Sequence, residues 1–267
     1  MAERRADIDL YLRALVGLCA GLHGALYGAY KDSPHESFLV RRFVRELVFA
    51  TTAGVALHLS GLADAESAFV LYLSCFALSR ISTEFWKLFM RVEPQSGFRI
   101  PTQIHFFRRV VHNPLMRLLI GFGFLAGIYG VYCLAVLLPD GMPSALKGAC
   151  VGGAIGVAEG IAGGYKDGSI EGFSPVKFFK SPVFGAIGGV IAGLHTTHPA
   201  FLLLAAIGSM RMFLELFFKI LVRDYAPGKF RSMVGPFCDW ADRRRHFLAP
   251  YSATWTLYTA LLAVRLF

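Results

Sequence analysis

The run "LIGFGFLAGIYGVYCLAVLLP" at residues 119–139 and the run "AFLLLAAIGSMRMFLELFFKILV" at residues 200–222 constrain this chain more than any other feature. Each is long enough to cross about 30 Å of hydrocarbon as one helix. Lipid offers no hydrogen bonds to an open backbone, so a spanning segment of this length folds as an α-helix. Composition agrees: the 267 residues are 55% hydrophobic and only 17% charged, where a soluble domain carries about 25% charged residues. Mean hydropathy is +0.52. Eight apolar segments are expected to span, at roughly 10–30, 46–63, 67–90, 115–138, 146–165, 181–196, 200–222 and 250–267, the second and sixth being short. The Met-Ala-Glu-Arg-Arg start has neither the short apolar core nor the small-residue cleavage site of a signal peptide, so the first span is expected to be retained.

Positive charge alternates between the connections. Lys31, Arg41, Arg42 and Arg45 follow span one; Arg91, Arg99, Arg108 and Arg109 follow span three. Lys166, Lys177 and Lys180 follow span five; Arg223, Lys229, Arg231, Arg243, Arg244 and Arg245 follow span seven. The intervening connections "GLADAE", "PDGMPSALK" and "HTTHP" hold Lys147 alone. With eight spans all the basic connections fall on one face, which the positive-inside rule assigns to the cytoplasm or matrix, with both termini outside. The net charge of +9 is thus an orientation signal rather than a nucleic-acid footprint, and it makes acidic lipid headgroups natural partners of that face.

The chain repeats itself. "GAYKDSPHESFLVRRFVRE" (28–46) lies over "GGYKDGSIEGFSPVKFFKSP" (163–182) at a shift of 135, placing Tyr165 on Tyr30, Lys166 on Lys31, Asp167 on Asp32 and Glu171 on Glu36. Span three carries Arg80, Glu84, Lys87 and Arg91, and span seven answers with Arg211, Glu215, Lys219 and Arg223. "FFRRVVHNP" then matches "DRRRHFLAP". Two four-span copies, residues 1–140 and 141–267, are the expected organisation: an all-α polytopic membrane protein of two parallel four-helix repeats. An even number of spans inserts both copies the same way up, related by a pseudo-twofold axis along the membrane normal.

Gly152, Gly156, Gly160 and Gly164 recur every four residues in span five, and Gly17, Gly21 and Gly28 echo them in span one. This glycine zipper bares one helix face for close packing. The charged residues at membrane depth need a reason, since an unpaired charge there costs about 2.5–3.5 kcal/mol. Spacing of four stacks Arg211, Glu215, Lys219 and Arg223 on one face, and Arg80, Glu84, Lys87 and Arg91 on another, with Glu215 between two cations. The stacks read either as structural ladders or as a hydrated path for an anionic solute or lipid headgroup. The YKD segments, with Pro34, Gly168 and Gly172 nearby, are expected to be loops. Tyr30, Lys31, Asp32, Glu36, Tyr165, Lys166, Asp167 and Glu171 then act as caps, as an inner-face gate, or as a divalent-metal site of a lipid-modifying enzyme.

Five cysteines without C-x-x-C spacing and eight histidines without H-E-x-x-H give no metal knuckle. His58 and His195, at matching ends of spans two and six, read as interfacial caps. No catalytic constellation and no cofactor motif stands out, so a non-enzymatic role is favoured. Transport or a pore-like role is the leading expectation, beside a non-catalytic subunit of a larger membrane complex.

Ala162, Tyr165, Lys177 and "GGVIAG" (Gly188 to Gly193), with the glycine-lined first span and basic inner loop, resemble the mitochondrial inner-membrane preprotein and amino-acid transporter family, which includes translocase channel subunits. Lys177 stands one residue late and in place of the family's Arg, Ser181 stands where Asp is expected, and His58 replaces the last Gly in the first copy. The resemblance implies a mitochondrial inner-membrane location and partner membrane subunits; a bacterial cytoplasmic membrane fits the charge pattern equally.

Overall fold

The computed structural model describes residues 2–33, 37–94, 100–106, 109–217 and 244–264. Eight α-helices follow in order among them: α1 (Ala2–Asp32), α2 (Val40–Leu59), α3 (Ala68–Phe85), α4 (Pro114–Leu137), α5 (Ser144–Glu171), α6 (Pro175–His195), α7 (Pro199–Glu215) and α8 (Leu248–Ala263). A π-helical turn, Trp86–Met90, prolongs α3, and a 3₁₀ turn, Arg244–Phe247, precedes α8. The one departure from all-α structure among the described residues is a two-residue antiparallel pairing of β1 (His105–Phe106) with β2 (Arg109–Val110).

Every expected span coincides with a helix, yet the described residues contain five helices long and apolar enough to cross a membrane: Ile8–Asp32, Ala68–Met90, Pro114–Leu137, Ser144–Lys166 and Pro175–His195. The remaining three do not qualify over their described residues. α2 has 20 residues but opens on Arg41, Arg42, Arg45 and Glu46, while α7 and α8 have 17 and 16. Of the eight expected spans, five therefore carry a spanning signal among the described residues. This is the helix inventory of an integral membrane protein.

Sequence signals explain the ends. Asn113 caps α4 by accepting from the amides of Leu115 (2.9 Å) and Met116 (3.2 Å), with Pro114 at the first position. Ser174 and Pro175 do the same for α6, which starts six residues before the expected 181. Gly172, with φ 82°, ends α5 in a conformation side chains resist, and Gly61, with φ 71°, turns the chain out of α2.

The chain forms two compact units. One comprises Met1–Ile81 with Val234–Phe267, the other Ser82–Met233. In the first, α1 packs along α2 and α8 lies against α1; in the second, α5 packs along α6, with α7 and α4 against them. The units do not follow 1–140 and 141–267 in chain order, because α4 packs with α5 and α7 while α8 packs with α1.

Close helix approach defines both hairpins. In the first unit a Cβ on Gly17 would strike the Ala50 carbonyl, one on Gly21 would lie 2.7 Å from the Glu46 carbonyl oxygen, and one on Gly54 would meet the Arg13 carbonyl at 2.5 Å. In the second, Gly152 meets the Gly185 carbonyl, Gly156 that of Ser181, and Gly189 that of Gly148. Each pair of the second unit stands 135 residues beyond its counterpart in the first. Backbone is the contacting surface in all six, so only glycine fits on one side of each. Gly160 extends the line against Phe178, while Gly164 has only ring atoms 3.9 Å away and Gly28 faces open space, so the close packing stops before the helix ends.

Candidate functional site

Alternation of helix direction brings the end of α1 and the start of α2 together, and likewise the end of α5, the start of α6 and the start of α4. Lys31, Arg41, Arg42 and Arg45 gather at one end of the first unit, and Arg109, Lys166, Lys177 and Lys180 at one end of the second. At the opposite ends the cations are tied down: Arg13 donates to the Glu66 carbonyl (3.2 Å) and Lys147 lies 3.9 Å from Asp140.

The YKD segments are helical, contrary to the loop expectation. Tyr30, Lys31 and Asp32 form the last turn of α1, and Tyr165 through Glu171 the last turns of α5. Gly172 acts just beyond Glu171, so it ends α5 without unwinding it. Lys31 pairs with Asp32 at 3.4 Å and lies 5.5 Å from the Tyr27 ring centroid. Tyr30 is buried, whereas Tyr165 is exposed and meets the edge of Phe106 at 6.1 Å. Glu36 lies outside the described residues, as do the side chains of Asp167 and Glu171. Among the described residues no group of three or more His, Cys, Asp or Glu is placed to hold a metal ion.

The residues of the expected α3 stack have partners both within the helix and beyond it. Arg80 reaches across to Glu46 of α2 at 3.9 Å, Glu84 pairs with Lys87 at 2.6 Å, and Arg91 leaves the helix to bind Glu93 and Thr102. The π turn at Trp86–Met90 shifts the 3.6-residue period between Lys87 and Arg91. Arg91 becomes the centre of a polar knot: Gln103 donates to its carbonyl at 2.7 Å, Arg117 donates to the same oxygen, and Thr102 donates to Glu93 at 2.9 Å. In the second unit, Arg211 pairs with Glu159 of α5 at 3.0 Å, while Glu215 is buried one turn on. Lys219 and Arg223 lie outside the described residues.

Arg80 and Arg211 thus each meet a carboxylate from a neighbouring helix, through different helices. Glu46 sits on α2 and faces Gly24 of α1, where an added Cβ would lie 3.7 Å from its Oε2. The position 135 residues beyond Gly24 is Glu159, and that beyond Glu46 is Ser181. The carboxylate has changed helices between the units. Glu46 is closed in: Ser79 donates to its Oε2 at 3.0 Å, Arg45 lies at 3.5 Å, and its side chain is 7% exposed. The Arg211–Glu159 pair is open, at 31% and 23%.

Sequence reasoning passed over Glu46, Glu159 and His23. Glu46 ended the repeat motif without a counterpart, and Glu159 was hidden among glycines. His23, fully buried, lies within 5.0–6.4 Å of the rings of Tyr72, Phe76, Tyr251 and Trp255. The Thr254 hydroxyl donates to the Tyr251 carbonyl at 2.7 Å, so at 2.9 Å it accepts from His23 Nδ1, which places a ring proton on that nitrogen. The aromatic sequence positions on α3 and α8 gave no sign of this convergence.

Fold and site together define a helical membrane protein with charged pairs inside its helical units. No family model, curated protein or solved structure matches the chain.

Proposed function

We propose that the protein is an integral membrane transporter or pore-like protein for an anionic small molecule or lipid headgroup, built by tandem duplication. The observation that carries this reading is the Arg211–Glu159 pair, which retains 31% and 23% side-chain exposure although Glu159 lies inside the apolar segment Ser144–Lys166. A pair that served only to lock helices would gain most from full enclosure, as Glu46 does. An accessible guanidinium, with the cations at the end of α5 and α6 to concentrate anions, suits passage better. The matching backbone contacts at a shift of 135 support the duplication. The termini are proposed to lie outside, in a bacterial cytoplasmic or mitochondrial inner membrane.

Single-cysteine accessibility in sealed, oriented vesicles tests the topology. Cysteines at Arg42 and Lys177 are expected to label only from the inner side, and one near the amino terminus only from the outer side. The reverse pattern, or labelling of Arg42 and Lys177 from opposite sides, overturns the basic-face argument. Function is tested by reconstitution: phosphate or headgroup-labelled phosphatidate should cross proteoliposome membranes with the parent protein and not with Arg211→Gln.

A second reading, a non-catalytic subunit of a membrane complex, draws on α4. Only 11% of its apolar window is buried, and Leu115, Leu119, Phe122 and Tyr129 are exposed along it. The translocase resemblance belongs with this reading, where Gly189 and Gly193 are accounted for by packing on Gly148 and Ser144. Absence of flux with either solute, in protein shown to be folded, would favour it.

A further inference from the structure

We propose that Glu159 is a resident counter-anion at an oxyanion-binding site formed by Arg211, and that a phosphate- or carboxylate-bearing ligand competes with it for the guanidinium; this rests on the transport reading above. The two units make the case by contrast. In the first, the partner of Arg80 is anchored from three directions, by Ser79, Arg45 and Arg80 itself, and is sealed. In the second, serine occupies the position equivalent to Glu46, and the carboxylate comes from α5 instead. Among the described residues neither Glu159 nor Arg211 has a second hydrogen-bond or ion-pair partner. Both are partly exposed.

A guanidinium presents five N–H donors in a planar fork suited to carboxylate and phosphate oxygens. Arg211 meets Glu159 through Nη1 at 3.0 Å, which leaves donors uncommitted on an accessible face. The protein therefore already holds one oxyanion there, and a second bound beside it would feel its negative charge in a medium that screens poorly. Neutralising Glu159 should accordingly strengthen ligand binding. A pair with a purely structural role gives the opposite sign, because loss of its carboxylate can only loosen the fold. Lys166, two turns further along α5, and Lys177 and Lys180 on α6 supply an approach of matching charge. Free phosphate and the headgroup of a phospholipid share this chemistry.

The test uses the full chain in nanodiscs of zwitterionic lipid, with binding measured for radiolabelled inorganic phosphate and for dioctanoyl phosphatidate. Glu159→Gln is expected to tighten binding of at least one probe by about tenfold. Arg211→Gln should abolish binding, alone and combined with Glu159→Gln. Competition of phosphate against phosphatidate assigns the site to a free oxyanion; phosphatidate binding that phosphate does not disturb assigns it to a lipid headgroup. Unchanged or weakened affinity in folded Glu159→Gln protein overturns the proposal, as does failure of the parent and every variant to bind either probe. If Glu159→Gln does not fold, Glu159→Asp, which withdraws the carboxylate by one methylene, is expected to show a smaller rise, and its absence decides equally. Tighter binding without flux in vesicles sinks transport and leaves the site. Flux that ignores Glu159→Gln does the reverse.

Discussion

Gly152→Leu is expected to leave no folded protein in mild detergent, whereas Gly153→Leu, one residue along the same helix, folds as the parent does. A side chain at 152 has to enter the space of the Gly185 carbonyl, and backbone cannot swing aside as a long side chain can. Relieving the clash means separating α5 from α6, which also dismantles the contacts of Gly148 with Gly189 and of Gly156 with Ser181. Overpacking of a well-filled site typically costs about 1–3 kcal/mol, and here one substitution disturbs several contacts together. Nothing lies within 4 Å of a Cβ on Gly153, where replacing glycine also gains about 0.5–1 kcal/mol of helix propensity. Size-exclusion profiles and thermal unfolding of the two variants decide the matter. Equal behaviour would mean that the helices do not approach as described.

Glu46→Gln should destabilise the protein by about 3–5 kcal/mol, the usual consequence of removing one partner from a buried ion pair. Arg80, at 15% side-chain exposure, would be left beside a neutral amide at membrane depth, and Ser79 would lose its charged acceptor. The transposed carboxylate of the second unit offers a repair. Glu46→Ser combined with Gly24→Glu recreates in the first unit the arrangement of Ser181 and Glu159, and it is expected to recover most of the stability lost by Glu46→Ser alone. The new Cβ would lie 3.3 Å from Phe76 Cε2, so the ring has to yield by a few tenths of an ångström. Recovery is read from chemical unfolding of the three variants. A double variant no better than Glu46→Ser would show that the two arginines are not equivalent.

Helix placement was legible because it depends on local quantities. Apolar runs of fixed length lie within one helix, so the chain states them directly, whereas the caps at Asn113 and Ser174 and the helix end at Gly172 emerged only in the structure, with α6 starting six residues before the expected 181. The four-residue glycine spacing likewise announced a bare helix face, and Gly17, Gly21, Gly152 and Gly156 use it. Charge partnership was only partly local: Glu84 meets Lys87 within the same helical run. Regular spacing along α3 and α7 suggested partners within one helix, but an arginine chooses among all carboxylates within its reach, and the close α1–α2 and α5–α6 hairpins bring Glu46 and Glu159 within 3.9 Å and 3.0 Å. Loops were expected at the YKD segments because glycine and proline weaken helices on average; both segments are helical, and α5 runs on to Gly172, whose φ of 82° a helix cannot share. The sequence by itself therefore determined the helices, their membrane character, the basic ends and the repeat period of the motifs. Tertiary structure alone decided that α4 packs with α5 and α7 and α8 with α1, that the carboxylate moved from α2 to α5 between the units, and that one ion pair is sealed and the other open. Those outcomes are set by which surfaces approach one another in space, and residues on separate helices, from 34 positions apart for Glu46 and Arg80 to more than 200 for α1 and α8, carry no local mark of it.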